Sequence, residues 1–66
     1  MIQYSIKRKN DRVFIFAKEC EIISQIEVDT ACIDPDRFIK LLREQQVAPE
    51  HLRDVYEDLL FSQNML

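Results

Sequence analysis

The sequence predicts a two-layer α+β fold, a three-stranded antiparallel meander followed by an antiparallel helical hairpin laid on one sheet face, in the order βββαα. Three observations predict it. The spacing of apolar residues changes once, near residue 30, from alternation to a helical period. Turn-forming residues at Asn10-Asp11 and Glu19-Cys20 divide the first part into three short runs. Asp34-Pro35 and Pro49 then mark two helix starts in the second part.

The first strand is read from Ile2 to Lys9, where Ile2, Tyr4 and Ile6 alternate with Gln3, Ser5 and Lys7. Asn10-Asp11 follows, and Asn and Asp are the non-glycine residues that best tolerate the positive φ of a tight hairpin. Arg12 to Lys18 is rich in β-branched and aromatic residues, and Glu21 to Val28 alternates again through Ile22, Ser24, Ile26 and Val28. A turn at Asn10-Asp11 sets Lys9 opposite Arg12, Ile6 opposite Ile15 and Tyr4 opposite Ala17. A turn at Glu19-Cys20 sets Lys18 opposite Glu21, Phe16 opposite Ile23, Val13 opposite Ile26 and Arg12 opposite Glu27. One face then collects Ile2, Tyr4, Ile6, Val13, Ile15, Ala17, Ile22 and Ile26, with Ser24 and Arg8 among them.

Past the turn-like stretch Asp29-Thr30-Ala31-Cys32, Asp34 is a good N-cap, Pro35 suits the first helical position and Asp36 suits the positive helix end. Ile33 and Phe38 stand at the two positions of a hydrophobic staple. This helix is expected to reach about Gln46 with Phe38, Leu41, Leu42 and Gln45 inward. The second starts at Pro49, with Val47 and Leu52 at staple spacing and an apolar stripe of Leu52, Val55, Tyr56, Leu59 and Leu60. A loop of about two residues makes the helices antiparallel neighbours. The organisation is one small domain over 1–66: a meander over 1–28, a helical hairpin over 34–62 and a tail over 63–66.

Composition removes several classes of function. The 66 residues contain no glycine, so no P-loop, dinucleotide fingerprint or kinase-type phosphate loop is present. Cys20 and Cys32 are too few and too far apart for a zinc knuckle or a CxxC pair, and His51 is the one imidazole. They read as reduced thiols packed as small apolar groups rather than as a disulfide. No cofactor and no metal are expected. There is no Gly-x-Ser-x-Gly elbow, no HExxH and no Cys/His pair at a meaningful spacing, and an enzyme is not expected. No apolar run reaches the ~18–20 residues of a membrane helix, so no membrane contact and a cytoplasmic location are expected.

The helices can cover only one sheet face. The other carries Phe14, Phe16 and Ile23, ringed by Lys7, Lys9, Arg12, Lys18, Glu21 and Glu27. Leaving three such side chains in water forgoes roughly 5–8 kcal/mol. A chain this short buries only about 60% of its unfolded surface and has little stability to spare. A cover is expected, and three candidates follow: a second copy in a two-fold dimer, a different protein, or single-stranded nucleic acid stacking on Phe14 and Phe16. The net charge is −3, but residues 1–20 hold five Lys/Arg against two Asp/Glu, which leaves the rest strongly acidic. Lys7, Arg8 and Lys9 with Arg12 make the hairpin tip a local positive knob, a suitable phosphate site on an acidic protein. Glu50, Asp54, Glu57 and Asp58 make the outer side of the second helix a candidate surface for a basic partner. The expected function is that of a small protein-interaction or regulatory module, a homodimer associating through Phe14, Phe16, Ile23, Arg12 and Lys18. Single-strand nucleic-acid binding through the basic hairpin is the alternative.

Overall fold

The computed structural model describes residues 1–64. Three strands, β1 (Gln3–Lys9), β2 (Arg12–Glu19) and β3 (Ile22–Val28), form one antiparallel sheet in the order β1-β2-β3. Two helices follow, α1 (Pro35–Gln45) and α2 (Leu52–Asn64), with a single 3-10 turn at Pro49–His51 leading into α2. The Cα extents are 37 × 27 × 16 Å, the thin dimension being that of one sheet and one helical layer. The βββαα α+β reading holds. Helix α2 runs to Asn64, two residues into the segment read as a tail, while Met65 and Leu66 lie outside the described residues.

The first hairpin has the expected register, with Tyr4 opposite Ala17, Ile6 opposite Ile15 and Lys9 opposite Arg12. Asn10 takes φ 56°, the left-handed geometry anticipated for it. The second hairpin differs. Its loop is Cys20-Glu21, with Cys20 at φ 55°, and β3 sits two residues further along than expected. Val13 is opposite Val28, Ile15 opposite Ile26, Phe16 opposite Gln25 and Lys18 opposite Ile23. The reason lies in the core. The expected register would put Ser24 against Ile15 and leave Val28 beyond the ladder. The observed one matches Ile15 with Ile26 and Val13 with Val28, and moves Ser24 opposite the small Ala17. A slide of two residues keeps every side chain on its face, so the division between the two faces is as expected.

The core lies between the sheet and the helices. Ile15, Ala17, Leu42 and Leu52 are fully buried, and Val28, Ile33, Phe38, Ile39 and Val47 nearly so. Ile22 shares this face but stands half out of it at the sheet's end, 49% exposed. Helix α1 is turned relative to expectation: Pro35, Phe38, Ile39 and Leu42 are buried, Leu41 is half-buried and Gln45 is exposed. The stripe 35/38/39/42 packs on the strands, and Leu41 faces a depression it shares with Phe38 and Leu59 of α2. Asp34 caps α1 by accepting a bond from the Asp36 N–H at 3.0 Å. At the other end Val47 N–H donates to Leu42 C=O at 3.2 Å and Gln46 N–H to Arg43 C=O at 3.4 Å. This is a Schellman arrangement, with Gln46 at φ 50° in the place usually taken by glycine.

Two phenols tie the layers together. Tyr4 donates to the Val47 carbonyl at 2.6 Å, joining β1 to the link between the helices. Tyr56 accepts from the Asp29 N–H at 2.8 Å, and its ring lies against Phe38 with centroids 5.7 Å apart. Burial, and secondarily the negative charge of Glu19, hold the Tyr4 phenol above the ordinary tyrosine range.

Candidate binding face of the sheet

Strand parity builds this surface. Ladder partners share a face, so the side of the sheet away from the helices is a grid of four rows read from the observed pairings. Gln3, Lys18 and Ile23 form the first row, and Ser5, Phe16 and Gln25 the second. Lys7, Phe14 and Glu27 form the third, and Lys9 with Arg12 the fourth. Phe14 and Phe16 thus sit on the central strand, two residues apart on one face, their neighbours on β1 and β3 all polar or charged. Val13, Ile15 and Ala17 alternate with them and are buried under the helices.

The rings are less exposed than expected. Phe14 and Phe16 are half-buried among the side chains beside them, while Ile23 at the corner is 62% exposed. Each ring stands between two cross-strand neighbours, Lys7 and Glu27 beside Phe14 and Ser5 and Gln25 beside Phe16, and these side chains take up part of its surface. The free energy forgone on this face is correspondingly smaller than three bare side chains imply. Lys7, Lys9, Phe14, Phe16 and Gln25 line a shallow depression of about 150 Å³. A larger one, about 640 Å³, lies on the other side of Phe16 and includes Gln3, Ser5, Lys18, Ile23 and Arg43.

Four cations stand on the grid, Lys7, Lys9, Arg12 and Lys18, against one carboxylate, Glu27. Arg12 does not stand opposite Glu27 as expected, because Glu27 faces Phe14, but it reaches Glu27 diagonally at 4.0 Å. The expected Lys18/Glu21 and Phe16/Ile23 pairs do not form, because Lys18 faces Ile23 and Glu21 lies in the loop. Among the described residues no carboxylate comes within 4.0 Å of Lys7, Lys9 or Lys18. Arg8, expected to act with its neighbours, belongs to the opposite face. It points to the start of α1, 3.8 Å from Asp36, with both side chains exposed, an arrangement worth little to stability.

Glu50, Asp54, Glu57 and Asp58 are all exposed on the second helical segment. His51 and the cation Arg53 interrupt this acidic side: His51 lies 3.7 Å from Asp54, and Arg53 lines two depressions beside β3 with Glu50, Asp54 and Glu57. Both cysteines are free and exposed rather than packed as apolar groups. They stand at opposite ends of β3, ~20 Å apart at the rise of a strand and far beyond the reach of a disulfide. Cys32 donates its thiol to the Asp29 carboxylate at 3.5 Å, and that bond, with the charge of the carboxylate, raises its pKa. Among the described residues no group of three His, Cys, Asp or Glu side chains converges as a metal site requires, and no helix is long and apolar enough to cross a membrane.

Arg43 is the residue that sequence reasoning missed. In the last turn of α1 it reads as a charge complementing the helix dipole. Only the packing of α1 beside β1 brings it to the groove that also holds Lys18 and Phe16. Compared with known proteins, the chain matches no family model, no curated protein and no solved structure.

Proposed function

We propose that this protein is a non-catalytic binding module that acts by associating with another macromolecule through the uncovered face of its sheet. The observation that carries the reading is the placement of Phe14, Phe16 and Ile23, with Lys7, Lys9, Arg12 and Lys18, on the side of the sheet no helix covers. Apolar groups set among mainly cationic and polar side chains form a poor solvent surface and a good docking one: the rings supply contact area and the charges select the partner. The surface is a shallow open face, which suits a chain-like or flat partner better than a small substrate.

A second copy of the chain is a competing occupant. A two-fold pairing of these faces sets four cations against four, offset by the Glu27 side chain of each copy, and costs electrostatic energy that an anionic partner would instead release. The face as a docking surface is tested by magnetic resonance. Amide signals of Phe14, Phe16, Ile23 and Gln25 are followed as protein and nucleic-acid fractions of a cell extract are added separately. Broadening centred on these residues is expected with at least one fraction. Broadening confined to Glu50, Asp54, Glu57 and Asp58, or none with either fraction, removes the reading.

A further inference from the structure

We infer that the occupant of this face is single-stranded nucleic acid, held with bases on Phe14 and Phe16 and phosphates along Lys7, Lys9, Lys18 and Arg43; this rests on the reading of the face as a docking surface. Two observations carry it. The two depressions that meet at Phe16 are lined by Lys7 and Lys9 on one side and by Lys18 and Arg43 on the other, with no carboxylate in either. The depressions elsewhere on the molecule mix both signs: Asp34 with Arg37, Glu50 and Asp54 with Arg53, Glu27 and Glu57 with Arg53. On a chain of net charge −3, two adjoining depressions lined by cations and no carboxylate make a local positive track, with Glu27 opposite Phe14 as the one acid on the same face.

The second observation is the position of the rings within that track. Phe14 and Phe16 are successive same-face residues of the central strand, ~7 Å apart. Cations lie beyond them at both ends, Lys9 by the first hairpin and Lys18 by the second, a span of roughly 20 Å. A polyanion bound by charge alone has no use for aromatic rings between the cations. A duplex hides the faces of its bases, whereas a single strand offers them for stacking and keeps its phosphates free to follow the lysines. Arg12, already beside Glu27, contributes least to this track.

The test uses the full chain and fluorescein-labelled oligothymidylate and oligouridylate of 12 nucleotides, followed by anisotropy from 20 to 200 mM salt. Binding is expected, with log affinity falling against log salt at a slope of about −2 to −3 for three or four phosphate contacts. Phe16→Ala is expected to weaken it roughly 5- to 150-fold, the range for loss of one stacked base. Lys18→Ala and Arg43→Ala should each flatten the slope by about 0.7, and Arg53→Ala, on the far side of the sheet, should leave it unchanged. Circular dichroism checks that each variant is folded; because Lys18 and Arg43 are exposed, their variants carry the test even if Phe16→Ala does not fold. No binding at 20 mM salt overturns the inference. So does equal binding of heparin with no dependence on Phe16, which would mean attraction to any polyanion. A dimer by light scattering that Phe16→Asp dissociates would assign the face to a second copy. If oligonucleotides leave the signals of Phe14 and Phe16 unmoved while a protein fraction broadens them, the nucleic-acid assignment fails and the docking face stands. If neither moves them, both fail.

Discussion

At the scale of single residues, the absence of glycine has a measurable consequence. Among the described residues three positions adopt left-handed backbone, and Asn10, Cys20 and Gln46 occupy them. A side chain at such a position costs energy that glycine avoids, least for Asn and more for Gln. Gln46→Gly is therefore expected to stabilise the protein by about 0.5–1 kcal/mol, net of the extra freedom glycine gives the unfolded chain, and to raise Tm by ~2–8 °C. An unchanged or lower Tm would show that the Gln46 side chain contributes more than its backbone strain costs. Tyr4 makes a second prediction. Its phenol keeps its proton to higher pH in the folded protein than in the unfolded one. The contribution is thus complete below the ordinary tyrosine pKa and is lost as pH rises through the folded value. Tyr4→Phe should cost about 1 kcal/mol at neutral pH through the lost bond to Val47, and should remove part of the decline in urea midpoint above pH ~10. An alkaline decline identical in the two proteins would place its origin elsewhere.

At the scale of elements, each helix owes its position to its entry. Helix α1 begins on a capped Asp34 followed by Pro35, with Ile33 and Phe38 buried as a staple. The turn into α2 has the proline and the staple, Val47 with Leu52 both buried, but its cap position is Ala48, which offers no side-chain acceptor. Ala48→Ser should add the missing acceptor and stabilise the protein by about 0.5–1 kcal/mol, read as a shift in urea midpoint at constant slope. A null result would mean that packing alone secures this entry. The strands depend on their pairings in the same way. The first hairpin was legible because Asn10-Asp11 is a strong turn signal and alternate turn lengths preserve its register. The second was not, because Glu19, Cys20 and Glu21 give no comparable signal between candidate loops. There the choice fell to whether Ile15 meets Ile26 or Ser24, a contact between residues distant along the chain.

At the scale of the whole molecule, stability and charge are both unevenly distributed. The core is one layer thick, and Ile15, with no exposed surface, lies at its centre under the helices. Ile15→Ala should cost about 2–5 kcal/mol. For a domain of this size, with ~3–10 kcal/mol in all, that change should leave the protein near its unfolding midpoint in water. A loss below 1 kcal/mol would mean that helices and sheet do not share this core. Charge is divided unevenly: the bare sheet face holds four Lys/Arg and one carboxylate, with Arg43 joining at the groove by Phe16, while the remaining cations share the rest of the molecule with an excess of carboxylates. A molecule so divided presents an anionic partner with one face and repels it with the other, which orients the encounter before contact.

Local chemistry along the chain determined which segments are strands and helices, where α1 starts, and which residues of each strand share a face. Alternation and capping are relations between near neighbours, and the placement of Phe14 and Phe16 opposite Val13 and Ile15 is one of them. Only the folded arrangement decided the register of β3, the burial of Ile39 in place of Gln45, the turning of Arg8 toward Asp36 and the arrival of Arg43 beside Phe16. Each of these depends on how two elements far apart in sequence settle against one another. The rotation of a helix about its axis, or the slide of a strand by two residues, leaves the local pattern intact while changing its neighbours.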